Sequence, residues 1–259
     1  MNNSDLLLNI KTVQSNAIRT LIEVLKDVLN DINIIFDEFG IKIVAMDGSH
    51  VALIKLTLDA ERFEEYYCPK RLLIGLSMGS LHKLVKSISN SDTVGFIIHK
   101  DTPHELGIQI SNSDKNQVTL FNLKLLDIDH SEIGIPDVEI DCVITMPSHD
   151  FQRMCRDMSN ISDALELTSK GTNLTLSCNG DFASQKTVIG EATHGLFFNK
   201  STKEEITGKF SLKYINLFTK STNLCNTIEI QLKNKYPLIM KYNVANLGEI
   251  KFCLAPKVK

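Results

Sequence analysis

The chain has no tryptophan, no Cys-x-x-Cys pair, and no apolar run approaching the ~20 residues that a bilayer-spanning helix needs. The missing tryptophan decides little; the other absences exclude more. Lys and Arg number 28 against 31 Asp and Glu, a formal net charge of −3. This rules out a uniformly basic surface that clings to nucleic acid everywhere, so any cationic function is local. The opening MNNSDLLLNI lacks the basic n-region and long apolar h-region of a secretory signal, and a soluble intracellular protein without membrane contact is expected. The cysteines Cys68, Cys142, Cys155, Cys178, Cys225 and Cys253 are scattered and are predicted to be buried thiols, not a disulfide framework. The histidines lack ligand spacing, so no metal is expected. Walker A, GxGxxG and HExxH sequences are absent. Ser80-Leu-His-Lys83 matches SxxK formally, but its partner motifs are missing and it lies in a helix-patterned segment. Asp47, Ser49 and His50 are adjacent in a Gly-containing stretch and predict a turn, since a triad needs convergence in space. The expectation is a protein with no catalytic residues and no cofactor.

What is present is a chain of 259 residues, 43% of them hydrophobic, enough for two domains of about 100–150 residues. Ile18, Leu21, Ile22, Leu25, Val28 and Leu29 follow helical spacing and predict an amphipathic helix over about 16–30. β-rich runs follow at Ile32–Phe36, Ile41–Met46 and Val51–Leu58, with Gly40 supplying a positive φ for the first turn. Leu81, Leu84, Val85 and Ile88 mark a second helix, before strands near Thr93–His99, Leu106–Ser111 and Gln117–Leu125.

The second half repeats this order. The sequence numbers of Ile18 and Phe151 differ by 133, those of Gly40 and Gly171 by 131, and Leu84-Val85-Lys86-Ser87 is echoed by Phe218-Thr219-Lys220-Ser221 at an offset of 134. A near-constant offset predicts a duplicated unit of helix, strands, helix, strands. The expected α+β chain has domains at 1–126 and 137–259, joined by the polar connector 127–136, DIDHSEIGIP. Ile133 and Ile135 are unusual in a bland linker.

The four helices carry cations in pairs: Arg19 and Lys26, Lys83 and Lys86, Arg153 and Arg156, Lys213 and Lys220. Spacings of three or seven keep each pair on one side. A solvated face explains one such helix, but Lys83/Lys86 and Arg153/Arg156 share the same place relative to the apolar stripe, and recurrence in both halves favours phosphate contact. Glu23, Asp27, Asp150 and Asp157 dilute the field. Without basic residues interleaved by aromatics, sequence-independent binding to duplex DNA is expected.

Several stretches resemble one family in order: Met46-Asp47-Gly48-Ser49-His50-Val51-Ala52-Leu53, Leu126-Asp127-Ile128-Asp129 through Gly134-Ile135-Pro136, Cys155-Arg156-Asp157-Met158-Ser159, Phe218-Thr219-Lys220 and Leu254-Ala255-Pro256-Lys257. They resemble proliferating cell nuclear antigen, the eukaryotic and archaeal-type sliding clamp. The resemblance implies a DNA-clamp fold whose two similar domains each pack two helices on antiparallel sheets, and a pseudo-sixfold homotrimeric ring around duplex DNA. It places the eight cations above on the inner helices, with Thr20 at a position often basic in the family. It further implies a partner-peptide pocket at Met46, His50, Leu53, Ile133, Ile135, Pro136, Tyr236, Pro237, Cys253, Ala255 and Pro256, with Cys253 where tyrosine is typical. Ring closure would pair strands near Thr119–Leu123 and Lys186–Gly190 of neighbouring copies. The implied role is a processivity factor in replication and repair, in the nucleus or a viral replication compartment. Its implied partners are a replicative DNA polymerase, clamp loader, flap endonuclease and DNA ligase. A checkpoint-type subunit of a hetero-oligomeric ring is the alternative.

Overall fold

The computed structural model describes residues 5–129, 133–134 and 138–257. The first repeat runs β1 (Leu6–Thr12), α1 (Ser15–Val28), β2 (Asp31–Asp37), β3 (Gly40–Met46), β4 (Ala52–Asp59), β5 (Glu65–Tyr67), β6 (Leu72–Ser77), α2 (Met78–Val85), β7 (Asp92–His99), β8 (Glu105–Asn112) and β9 (Gln117–Lys124). The second runs β10 (Cys142–Pro147), α3 (Ser148–Ser159), β11 (Ala164–Lys170), β12 (Asn173–Asn179), β13 (Ser184–Gly190), β14 (Phe197–Lys200), β15 (Ile206–Ser211), α4 (Leu212–Phe218), β16 (Thr227–Leu232), β17 (Leu238–Val244) and β18 (Gly248–Leu254). Element for element the two orders are identical, as the offset predicts.

Pairing repeats as well. The order β5-β1-β7-β8-β9 has its counterpart in β14-β10-β16-β17-β18, and β2 lies between β3 and β6 as β11 lies between β12 and β15. Asp31 faces Ser77 in the first repeat, and Ala164 faces Ser211 in the second. The first residues of α1 and α3, of β2 and β11, and of β3 and β12 all share one offset in sequence number, 133; those of α2 and α4 differ by 134.

This register corrects one landmark. Asp37 pairs with Gly40, and Lys170 pairs with Asn173, so the counterpart of Gly40 is Asn173 and Gly171 sits two places earlier. The two glycines do different work. Gly40 has φ +143° and a Cβ there would collide with the Leu58 carbonyl oxygen, so the site excludes a side chain twice over. Gly171, at φ +60°, opens a two-residue hairpin loop with nothing crowding it, the place where a type II′ turn takes glycine.

By compactness the chain forms two units, one of residues 1–48, 55–133 and 243–250, the other of 49–54, 134–242 and 251–259. In the first, α1 and α2 bury Ile18, Leu21, Ile22, Leu25, Leu81 and Val85. An apolar cavity of about 60 Å³ remains between these helices and the sheet, bounded by Ile18, Leu21, Ile34, Leu56, Leu76 and Leu81 among others. The second unit is filled by aromatics: Phe151 is fully buried, Phe218 stacks on Phe252 at 4.5 Å, and Tyr242 meets the Phe252 ring edge-on at 6.3 Å. Such ring pairs add to area burial.

Candidate nucleic-acid and partner interface

The helix faces are set by the apolar stripe. Along α2 and its extension, Leu81, Val85 and Ile88 are buried while Lys83 and Lys86 are exposed; along α3, Phe151, Cys155 and Met158 are buried while Arg153 and Arg156 are exposed. The residue-by-residue burial of 81–90 and 151–160 is the same. Lys83, Lys86, Arg156 and Lys213 have no carboxylate partner among the described residues. Arg153 Nη2 meets Asp150 Oδ1 at 3.0 Å, a pair with side chains 71% and 48% exposed, which solvent screening makes weak. Lys213 and Lys220 are exposed on α4 and the 3₁₀ turn after it.

α1 is different. Arg19 is half-buried and donates from Nη1 to the Ile88 carbonyl at 3.0 Å and from Nη2 to Asn16 Oδ1 at 2.6 Å. Lys26 Nζ lies 2.8 Å from Asp27 Oδ1, with its side chain 30% exposed. Thr20 is buried and cannot reach a phosphate. The exposed residue of this helix's middle turn is acidic, Glu23.

The fold also corrects the inference from recurrence. α3 is the counterpart of α1, not of α2, so Arg153 and Arg156 correspond to Thr20 and Glu23, and Lys83 and Lys86 to Leu217 and Lys220. Of the eight cations, only Lys86 and Lys220 stand at equivalent positions. Identical apolar periodicity, which any helix lying on a sheet acquires, produces the apparent repeat.

The partner residues fall in strands and turns. Met46, exposed, ends β3, and Leu53 is half-buried in β4. His50 adopts φ +56° in the turn between these strands, where Asp47 is buried. Tyr236 and Pro237 precede β17, and Cys253, Ala255 and Pro256 close β18; all five are half-buried. The Ala255 N–H donates to the Val51 carbonyl at 2.9 Å, fixing the tail. Ile133 is half-buried, whereas Ile135 and Pro136 lie outside the described residues. The connector's first residues are held on the β6 edge: Leu126 N–H donates to the Gly75 carbonyl at 2.8 Å and Asn33 Nδ2 to the Ile128 carbonyl at 3.1 Å. A Cβ on Gly75 would collide with the Leu126 carbonyl oxygen, so glycine is what admits this close approach.

No disulfide joins the six cysteines, but Cys225 and Cys253 are half-buried, correcting the expectation that all would be buried. Their positions just before β16 and at the outward register of β18 account for this. Burial raises the Cys155 thiol well above its usual range. No hydrogen bond joins Ser80 to Lys83 among the described residues.

The strands near Thr119–Leu123 and Lys186–Gly190 are β9 and β13. Each ends a sheet, and β9 exposes Val118 and Leu120 while β13 exposes Val188. Unpaired edges bearing apolar side chains are templates for another strand.

Two copies of one helix-and-strand order, each packing two helices on antiparallel strands, define the class of DNA-clamp proteins. The chain matches the family described as proliferating cell nuclear antigen, its N-terminal domain over residues 7–133 and its C-terminal domain over 134–257. It belongs to the proliferating cell nuclear antigen family. It is 42% identical over 261 aligned positions to the probable DNA polymerase sliding clamp 1 of Paramecium bursaria Chlorella virus 1, covering 99% of each chain. It is 31% identical over 256 positions to the proliferating cell nuclear antigen of Chaetomium thermophilum, covering 97% of this chain and 98% of that one.

Proposed function

We propose that this chain is a DNA sliding clamp: a non-enzymatic processivity factor that closes into a ring of three copies around duplex DNA. The observation that carries the ring is the pattern of strand edges. β9 and β13 each end a sheet and carry exposed apolar side chains. Pairing β9 of one copy with β13 of the next satisfies both edges and covers the exposed Val118, Leu120 and Val188. A head-to-tail contact of this kind closes when its rotation permits.

Exposed Lys83, Lys86, Arg153, Arg156, Lys213 and Lys220 supply the attraction to DNA. Duplex DNA carries about one negative charge per 1.7 Å of axis, and exposed cations on helices hold it by a salt-screened force that reads no bases. Loose attraction suits a ring, since enclosure and not grip retains the DNA. Leu53, Tyr236, Pro237, Cys253, Ala255 and Pro256 contribute to a surface for a short partner helix with aromatic anchors, and the family resemblance adds Met46, His50, Ile133, Ile135 and Pro136 to it. The partners are a replicative polymerase, a clamp loader, a flap endonuclease, a ligase and other proteins bearing such a peptide. The place of action is the site of DNA replication, in a nucleus or a viral replication compartment.

Native mass spectrometry tests the assembly. One chain has a mass of 29.0 kDa, and a single species of three chains is expected; a lone chain at every concentration would refute homotrimeric closure.

A further inference from the structure

Among the cations of the described helices, Arg19 alone directs guanidinium donors at a main-chain acceptor beyond another helix's end. Its target, the Ile88 carbonyl, lies just past α2, which ends at Val85. One turn earlier on α1, Ser15 is fully buried and donates from Oγ to the Ser89 carbonyl at 2.9 Å.

The second repeat places its donors at the same helix positions, although the carbonyls they reach are not at equivalent places after the second helix. Ser148, which opens α3 as Ser15 opens α1, is fully buried and donates from Oγ to the Cys225 carbonyl at 2.8 Å. Gln152, the counterpart of Arg19, donates from Nε2 to the Thr219 carbonyl at 2.8 Å, just beyond α4. Four residues separate the donors in each helix, which keeps them on one side. An uncharged amide therefore stands where the first repeat has a guanidinium, and reaches the same kind of acceptor.

We propose that Ser15 with Arg19, and Ser148 with Gln152, form a two-point tie that holds the first helix of each repeat against the segment following the second helix, so that Arg19 is a positioning residue and not a phosphate contact. The tie needs a donor of sufficient reach; the charge of Arg19 is dispensable. The hydrogen bonds stand apart from the clamp reading, and only the statement about phosphate rests on it.

The test compares Arg19→Gln, Arg19→Ala and the double variant Lys83→Gln/Lys86→Gln in the full-length protein. Two quantities are read: the thermal midpoint, and the slope of log affinity for a short fluorescent duplex against log salt. Arg19→Gln should leave both unchanged, and Arg19→Ala should lower the midpoint and leave the slope. The double variant should flatten the slope by about 0.9 for each phosphate no longer neutralised without moving the midpoint. A flatter slope for Arg19→Gln with an intact midpoint would overturn the assignment, as would an unchanged midpoint for Arg19→Ala. An unchanged slope for the double variant alone would instead count against the DNA face of α2, so the two failures are distinguishable.

Discussion

The two repeats share a backbone plan and differ in what fills them. At the position of Ile18 in the first, the second has Phe151; at that of Leu84 it has Phe218. The first unit keeps a cavity of about 60 Å³ beneath α1 and α2, while the second stacks Phe218 on Phe252. The same strand order and registers survive this exchange of aliphatic for aromatic packing. Topology is therefore dictated by apolar periodicity, whereas side-chain shape adjusts within it; Gly40 and Gly75 serve the first repeat alone, since Asn173 and Lys209 hold their places in the second.

A reciprocal swap at the paired positions breaks this comparison most strongly. Phe151→Ile should destabilise by about 1–3 kcal/mol, because removing part of a fully buried ring leaves a void that its neighbours fill only in part. Ile18→Phe should stabilise, by up to about 1.4 kcal/mol if the ring fills the space of about 60 Å³ at roughly 24 cal/mol per Å³. Urea unfolding followed in each unit checks both; destabilisation by Ile18→Phe would mean that the first unit's helices are fixed too close to the sheet for a ring.

A smaller effect separates the β2–β3 turn from its counterpart. Burial by itself would raise the Asp37 carboxyl, but the Lys42 ammonium and the main-chain N–H groups of Phe39 and Gly40 outweigh it and hold it below the usual carboxylate range. The contacts are 2.7 Å to Lys42, 2.9 Å to Phe39 and 3.1 Å to Gly40. The counterpart in the second repeat, Lys170, meets Glu205 at 3.3 Å, with side chains 71% and 53% exposed. A depressed folded-state value means that the Asp37 contribution is present above the ordinary carboxylate range and is lost as pH falls through that depressed value. Asp37→Asn should thus cost about 0.5–1.5 kcal/mol at neutral pH and converge with the unaltered protein in acid. Unfolding midpoints measured across that range decide it, and a pH-independent difference would contradict the role given to the charge.

Much of the fold is legible in the sequence. The spacing from Ile18 to Leu25 predicts α1, which ends at Val28 because Leu29 turns to extended backbone. The strands from Ile32 to Leu58 and from Thr93 to Leu125 match β2–β4 and β7–β9 closely. β1 is harder to read, although Leu6, Leu8, Ile10 and Thr12 alternate inward; its period-two signal is short and adjoins the helical one. The cations are visible as a set, but their availability is not. Arg19 differs from Lys83 through its bond to Ile88, 69 residues away, and no local pattern encodes such a contact. Gly171 misleads for the opposite reason: a turn glycine is a local signal, and the two repeats place theirs at different turn positions.

Topology is the property that most directly tests the clamp account. The protein is loaded by a clamp loader onto circular duplex DNA, the circle is cut once, and the fraction still bound is measured with the ends free or blocked by a bulky protein. Encirclement predicts retention on the circle, loss after the cut, and retention again when both ends are blocked. Persistent binding to cut DNA with free ends would contradict it.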